Sequence, residues 1–508
     1  MRKPHQALDS VETYSPAEER FNRRRRTAGL FLGPAVFFAI LLAPMGALPP
    51  PAHTLAAILA LMVVLWITEA LPLAVTALAG PVLAVVMGVG PARAVFAPFA
   101  DPIIFLFIGS FILAEAMFVH GLDRRIAFTA LSLRAVGQSP GRILIAYGLV
   151  TAIISMWISN TATTAMMFPL GLALVSHLAQ GREREPEIRR YATAMMLMTA
   201  FAASIGGLGT PVGTPPNLIG LALLRQQAGI DITFDRWMML GVPMVVIVLA
   251  GLFGIFYFAA VRGVRFGETS TDLVRDELKK LGPVTRGQRN VMAAFFLTVI
   301  LWLLPGVFAI TGTAGTGFAR AYASLVPESI AAMVGAILLF VLPVHWPARR
   351  FTLTWDEASS IDWGIVLLFG GGISMGALAD ATGLARSMGQ ALAGAMDQPS
   401  PLLLTIVFTA VAVVISEAAS NTASATIIVP IAIAVSQAAG VSPLEPALGA
   451  TLGASMGFMM PISTPPNAIV YSSGHVPITQ MMRYGVLLDV FGYVVIVVMV
   501  TLLGRFLI

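Results

Sequence analysis

The sequence has no cysteine and little charge. Without cysteine there are no disulfides, thiolate metal sites or thiol nucleophiles. Asp, Glu, Lys and Arg make up 11% of the 508 residues, against roughly a quarter in soluble domains, which excludes a soluble enzyme and a disordered chain. Six histidines lie scattered at 5, 53, 120, 177, 345 and 475. None stands four residues from another, so no HExxH-type metal pair exists. What is present is apolar surface: 57% hydrophobic residues and a mean hydropathy of +0.85. Lipid leaves only helices and closed barrels able to satisfy the backbone, and barrels alternate weakly. The composition therefore predicts an all-α polytopic membrane protein.

Eleven spanning segments of about 20 apolar residues are read near 28–48, 52–68, 71–90, 102–119, 192–224, 238–260, 291–311, 328–345, 362–379, 446–473 and 484–507. The first 27 residues form a polar arm ending in Arg23-Arg24-Arg25-Arg26. It is expected to be unstructured, cytoplasmic and topogenic, with no nucleic-acid partner, and is not expected to be a cleavable signal. With the N-terminus inside, 25 Lys and Arg fall in inner segments and 6 in outer ones, in keeping with the positive-inside rule. The linker 261–290 is basic and is expected to lie as an amphipathic helix on the cytoplasmic surface.

Two motifs occur twice. Ser159-Asn160-Thr161 recurs as Ser420-Asn421-Thr422, and Thr214-Pro215-Pro216-Asn217 recurs as Thr464-Pro465-Pro466-Asn467. Asp101 and Asp362, Gly109 and Gly370, Ser155 and Ser416 keep the same spacing as the first motif. Two motifs in one order point to duplication. Five spans separate the two SNT copies, and an odd number inverts the second. Inverted repeats with broken helices mark secondary transporters.

The stretch 143–178, as one helix, would be about 54 Å long, beyond the ~30 Å apolar core. A re-entrant hairpin with SNT at its tip resolves this, and 401–439 repeats the design from the other side. The segments 192–224 and 446–473 must unwind at their paired prolines, which lack an N–H and restrict the preceding residue. Unwound carbonyls suit a hard cation, and helix N-termini suit an anion. Hydroxyls and amides without carboxylate or thiolate fit Na+. Neither SNT nor TPPN carries Arg or Lys in sequence, so anion binding would depend on amides, hydroxyls, N–H groups and bound cations.

An isolated Ser155 or Ser416 would read as bonding its own backbone or a neighbouring helix; matched positions four residues before each SNT reverse that. Gly370-Gly371-Gly372 lacks the lysine and strand context of a phosphate loop, so it reads as close packing, as do Gly109 and Gly121. Glu417 is read as holding its hairpin by hydrogen bonds. Glu115 and Asp489 are read as packing or helix-end groups, and His177 as interfacial. No acid–base pair or metal set marks an enzyme.

At these motifs the chain resembles the divalent anion/sodium symporter family, from about residue 50 to the end. The resemblance implies a homodimer with scaffold and transport domains, an elevator movement and sodium-coupled carriage of succinate, malate, fumarate, citrate or sulfate. It implies a first sodium site at Ser155, Ser159, Asn160 and the backbone of Gly213. A second would use Ser416, Asn421 and the backbones of Ala419 and Ser463. Substrate carboxylates would meet Asn160, Thr161, Asn421 and Thr422, with Thr214, Thr464 and Pro465 closing the pocket. The domains expected are the arm 1–27, scaffold helices 28–119, a first hairpin unit 143–260, the linker 261–290, second-half scaffold helices 291–379 and a second hairpin unit 401–508. The function expected is sodium symport of C4-dicarboxylates, with at least two Na+, in the plasma membrane. A sodium-independent exchanger and a citrate or sulfate carrier of the same fold are the alternatives, with a membrane-embedded enzyme ranked last.

Overall fold

The computed structural model describes residues 16–46, 48–133, 139–179, 185–262, 264, 270–394 and 399–507. Among them the regular elements are all helices apart from one short strand pair, Pro343–His345 with Arg350–Phe351. Among the described residues ten helices are long and apolar enough to cross a membrane. An eleventh arises if Gly317–Leu325 and Glu328–Val341, bent by 65°, count as one span.

The first span begins earlier than the sequence suggested. Residues 16–27 are not an unstructured arm: the helix runs unbroken over Pro16–Leu42, so Arg23–Arg26 are helical. Pro16 at the first helical position and the Glu/Arg-rich sequence after it favour helix locally. The first fifteen residues of the arm lie outside the described residues. The segment expected at 71–90 is a shorter helix, Leu73–Val86, of 14 residues. The linker does form a helix, Ser270–Lys280, while 263 and 265–269 and the side chain of His177 lie outside the description.

Asp101 and Asp362, matched in sequence, do the same work. Asp101 accepts the Ile103 N–H at 2.9 Å and caps Pro102–Val119. Asp362 accepts the Ile365 N–H at 3.3 Å and caps Trp363–Thr382. Gly109 packs on the Ala332 backbone and Gly370 on the Phe99 ring, as small residues do where helices approach in lipid. Gly121 departs from the packing reading: a Cβ there would meet nothing, but its φ is +60° and it starts the helix Leu122–Leu131.

Eight helices carry the site. In the first half they are α1 (Pro140–Ser155), α2 (Asn160–Ala179), α3 (Pro186–Gly206) and α4 (Pro215–Ala228). In the second half they are α5 (Pro401–Ala418), α6 (Asn421–Ala438), α7 (Leu444–Gly453) and α8 (Pro465–Tyr471). α1 and α2 fold back on one another. Tyr147 Oη donates to the Met167 carbonyl at 2.8 Å, and these residues stand on opposite sides of the break at 156–159. α5 and α6 do likewise, since Ser424 Oγ donates to the Ala412 carbonyl at 2.9 Å. Every residue from 191 to 214 is buried, so α3 and the loop after it form the centre of the molecule. The helix Arg286–Ile310 instead turns Phe296, Ile300 and Ile310 outward, as a lipid-facing span does.

Candidate functional site

The break between α1 and α2 is set by Ser159, whose Oγ accepts the Ala162 N–H at 3.3 Å. Ser420 caps α6 in the same way, accepting the Ala423 N–H at 3.2 Å. In both SNT motifs the serine is therefore the helix cap and the asparagine the first helical residue. Each hairpin tip presents the carbonyl end of one helix and the positive N-terminal end of the next.

The serine four residues upstream then reaches across the tip. Ser155 Oγ donates to Asn160 Oδ1 at 2.9 Å, and Ser416 Oγ donates to Asn421 Oδ1 at 2.8 Å. Ser416 Oγ also lies 2.7 Å from the Ala454 carbonyl. Both serines are wholly buried, whereas Asn160, Thr161, Asn421 and Thr422 are half-buried. With Oδ1 turned to the serine, each carboxamide carries its Nδ2 on the far side, where it can donate. The serine hydroxyls therefore sit inside, and the asparagine and threonine side chains of the tips are the more accessible groups.

The broken helices stand opposite, and the asparagine of TPPN bonds the same two loop positions in both copies. Asn217 Nδ2 donates to the carbonyls of Gly207 at 2.9 Å and Thr210 at 2.8 Å. Asn467 Nδ2 donates to those of Gly457 at 2.9 Å and Met460 at 3.0 Å. Thr214 and Thr464 share an extended backbone, with φ −145° and −144°. Gly213 N–H bonds the Thr210 carbonyl at 3.3 Å, and Ser463 N–H the Met460 carbonyl at 3.2 Å. One unwound loop, closed by the asparagine of TPPN, is thus built twice.

Loop and tip meet at a glycine in each copy. A Cβ on Gly207 would overlap Asn160 Oδ1, and one on Gly213 would lie 3.0 Å from the Met156 carbonyl oxygen. A Cβ on Gly457 would stand 3.1 Å from both Asn421 Oδ1 and Ser416 Oγ, and 3.3 Å from Ser463 Cβ. The structure therefore gathers Ser155, Asn160 and Gly213 around Gly207, and Ser416, Asn421 and Ser463 around Gly457. Ala419, Thr214 and Thr464 are buried beside them, and Pro465 is exposed. Phe201 against Phe458, with ring centroids 5.0 Å apart, ties the two broken helices together.

Glu417 behaves as expected. Its Oε1 accepts the Met459 N–H at 2.8 Å and its Oε2 the Ser463 hydroxyl at 2.7 Å, fixing the second hairpin to its loop. Sequence reasoning gave no role to Asn217, Asn467, Gly207 or Gly457. The duplicated TPPN pointed to the asparagines, and the glycine run to Gly207.

A profile described as the sodium:sulfate symporter transmembrane region matches residues 24–508. A sodium-dependent dicarboxylate transporter, SdcS, of Staphylococcus saprophyticus is 34% identical over 478 residues, covering 93% of this chain and 90% of that protein. SdcS of Staphylococcus aureus strain USA300 is 33% identical over 484 residues, with the same coverage. In fold the chain is similar to the YdaH transporter of Alcanivorax borkumensis, at 14% identity and a TM-score of 0.52, covering 81% of this chain and 85% of that one. It is also similar to MtrF of Neisseria gonorrhoeae, at 13% identity and a TM-score of 0.54, covering 82% and 84%. By its motifs, its profile match and its relatives, the chain belongs to the sodium:sulfate, or divalent anion/sodium, symporter family.

Proposed function

We propose that the protein is a secondary transporter that couples the entry of a C4-dicarboxylate such as succinate, malate or fumarate to sodium. The observation that carries this is the doubled cluster: a buried serine on an asparagine carbonyl against an unwound glycine loop, at Ser155–Asn160–Gly207 and at Ser416–Asn421–Gly457. The names of the SdcS relatives support the same reading.

The first Na+ would lie among Ser155, Asn160, the free lone pair of Ser159 and the backbone of Gly213. The second would lie among Ser416, Asn421 and the backbones of Ala419 and Ser463. All are neutral oxygen donors of the kind a hard cation prefers. The substrate would span the half-buried face, each carboxylate meeting an Asn–Thr pair (Asn160 with Thr161, Asn421 with Thr422), with Thr214, Thr464 and Pro465 at the edge. The N-terminal ends of α2 and α6 favour its charge. Because no basic side chain of either motif neutralises the dianion, bound sodium must do so. Cation and anion therefore bind together, and two Na+ make the loaded site electroneutral.

The two halves are read as an inverted repeat, with the N-terminus cytoplasmic and the hairpins re-entering from opposite sides. The hairpins and broken helices would move together past scaffold helices of a homodimer, delivering the site to either face without an open pore. Purified protein in liposomes tests this. Labelled succinate should accumulate under an inward sodium gradient, and Asn160→Ala or Asn421→Ala should abolish it in protein that still elutes as a folded species. Ser416→Ala should raise the half-saturating sodium concentration about fivefold, the loss of roughly 1 kcal/mol. Undiminished exchange in sodium-free buffer would instead establish the exchanger, and stronger competition by citrate or sulfate would move the substrate class.

A further inference from the structure

The arginine run Arg23–Arg26 belongs to neither motif, yet one of its members reaches the second hairpin. Arg25 is turned inward, its side chain 13% exposed, whereas that of Arg26 is 56% exposed. Arg25 Nη2 lies 2.8 Å from Glu69 Oε2. Its Nη1 donates to the Ala418 carbonyl at 3.4 Å, across 393 positions of sequence. Ala418 is the last residue of α5, immediately before Ala419 and three residues before Asn421. The carbonyl end of a helix carries partial negative charge and favours a cation, an effect confined to the final turn. A guanidinium suits the place because it can hold a carboxylate and a carbonyl at once.

Glu69 is itself fixed by its backbone. It caps the helix Pro50–Thr68 with φ +48°, a left-handed conformation uncommon outside glycine. The N-terminal helix is packed on that same helix, Gly33 against Leu61 and Leu65. Arg25 and Glu69 thus form one fixed unit, and Ala418 belongs to the hairpin.

We propose that Arg25, oriented by Glu69, is a positioning residue for the second hairpin: it docks the carbonyl end of α5 in this conformation and releases it when the hairpin moves. The inference rests on the moving-hairpin reading above. The contact is a single hydrogen bond at a helix end, weak enough to break in each cycle. It also defines the state of the molecule. In the proposed orientation, a hairpin entering from the outer side is met by a residue at the inner end of the first span, so the hairpin is displaced toward the cytoplasm.

The absence of native cysteine makes a direct test possible. Arg25→Cys with Ala418→Cys is joined by a bifunctional methanethiosulfonate of about an arginine's length, in liposomes, and labelled succinate uptake is followed before and after reduction. Cross-linking that stops uptake, with recovery on reduction, is the expected result. Cross-linking with undiminished uptake would show that the two elements do not separate. Failure to cross-link where each single cysteine is labelled would show that they do not meet. Either overturns the proposal. If the cysteine-free parent shows no sodium-driven uptake, the transport reading itself fails, while the cross-link yield still reports the contact. In a second arm, Arg25→Gln and Glu69→Gln should each shift the half-saturating sodium concentration about two- to fivefold in one direction. The double variant should shift it no further, and Arg25→Lys should restore part of it. Additive shifts would overturn the role of Glu69.

Discussion

Glu417 and Ser463 stand on different elements, and the serine hydroxyl donates to Glu417 Oε2 at 2.7 Å. The same carboxylate holds the Met459 N–H, so one side chain joins the second hairpin to the middle and the far end of its unwound loop. Removing it leaves two donors without their acceptor, at roughly 1–3 kcal/mol for each buried one. Glu417→Ala should therefore lower the melting temperature of purified protein and raise the half-saturating sodium concentration. Glu417→Gln, which can still accept at one atom, should do both to a smaller degree. Sodium titration of uptake, with thermal melts alongside, measures the order.

Asn217 and Asn467 each bond two carbonyls with one amide nitrogen. Alanine at either position should release the loop and remove uptake. Aspartate is the sharper probe. It is nearly the same size but places a carboxylate oxygen against two carbonyl oxygens, so Asn467→Asp should be at least as damaging as Asn467→Ala. Uptake in liposomes containing equal amounts of each folded variant decides this.

The two glycines that meet the hairpin tips differ in clearance. A methyl at Gly207 overlaps Asn160 Oδ1, while at Gly457 the neighbours stand at 3.1 Å. Overpacking a tight site costs about 1–3 kcal/mol. Gly207→Ala should abolish uptake, and Gly457→Ala should raise the half-saturating sodium concentration by about an order of magnitude or less with transport retained. Uptake measured across a range of sodium concentrations separates the two.

These glycines also show where sequence reading stops. The SNT and TPPN copies were legible because the same residue types recur in one order, and adjacent prolines force a helix to break wherever they stand. That located Ser155, Asn160, Ser416 and Asn421. What Gly457 or Asn467 does depends on atoms brought in by folding. The Asn467 amide reaches a carbonyl ten positions back, beyond any local turn pattern. Arg25 looked like a loop residue because composition reports polarity, not direction. Its partner at Ala418 comes from the other half of the chain. The first helix was read too short for a related reason: arginine and glutamate suit a helix as well as a loop.

Asp123, on the helix that follows Gly121, is buried, and burial pushes its carboxyl up to about 6, against the opposing pull of the Arg124 backbone N–H and charge. The sign follows from proton binding. Between about pH 4 and 6 the folded protein keeps a proton that the unfolded chain has released, so stability falls as pH rises through that window. Above it the loss is complete, at about 2–3 kcal/mol. Melts of the wild type should fall from pH 4 to pH 7 by more than those of Asp123→Asn, which has nothing to ionise there. Parallel curves would place the ionisation elsewhere.

In the proposed mechanism the anion binds only where sodium has already supplied the charge that the motifs lack. Equilibrium binding of labelled succinate to detergent-purified protein, titrated with sodium at constant ionic strength, tests it without transport. Binding should be absent in choline, appear with sodium and rise more steeply than a single ion allows, with Asn160→Ala and Asn421→Ala each removing it. Saturable succinate binding of unchanged affinity in sodium-free buffer would contradict the account.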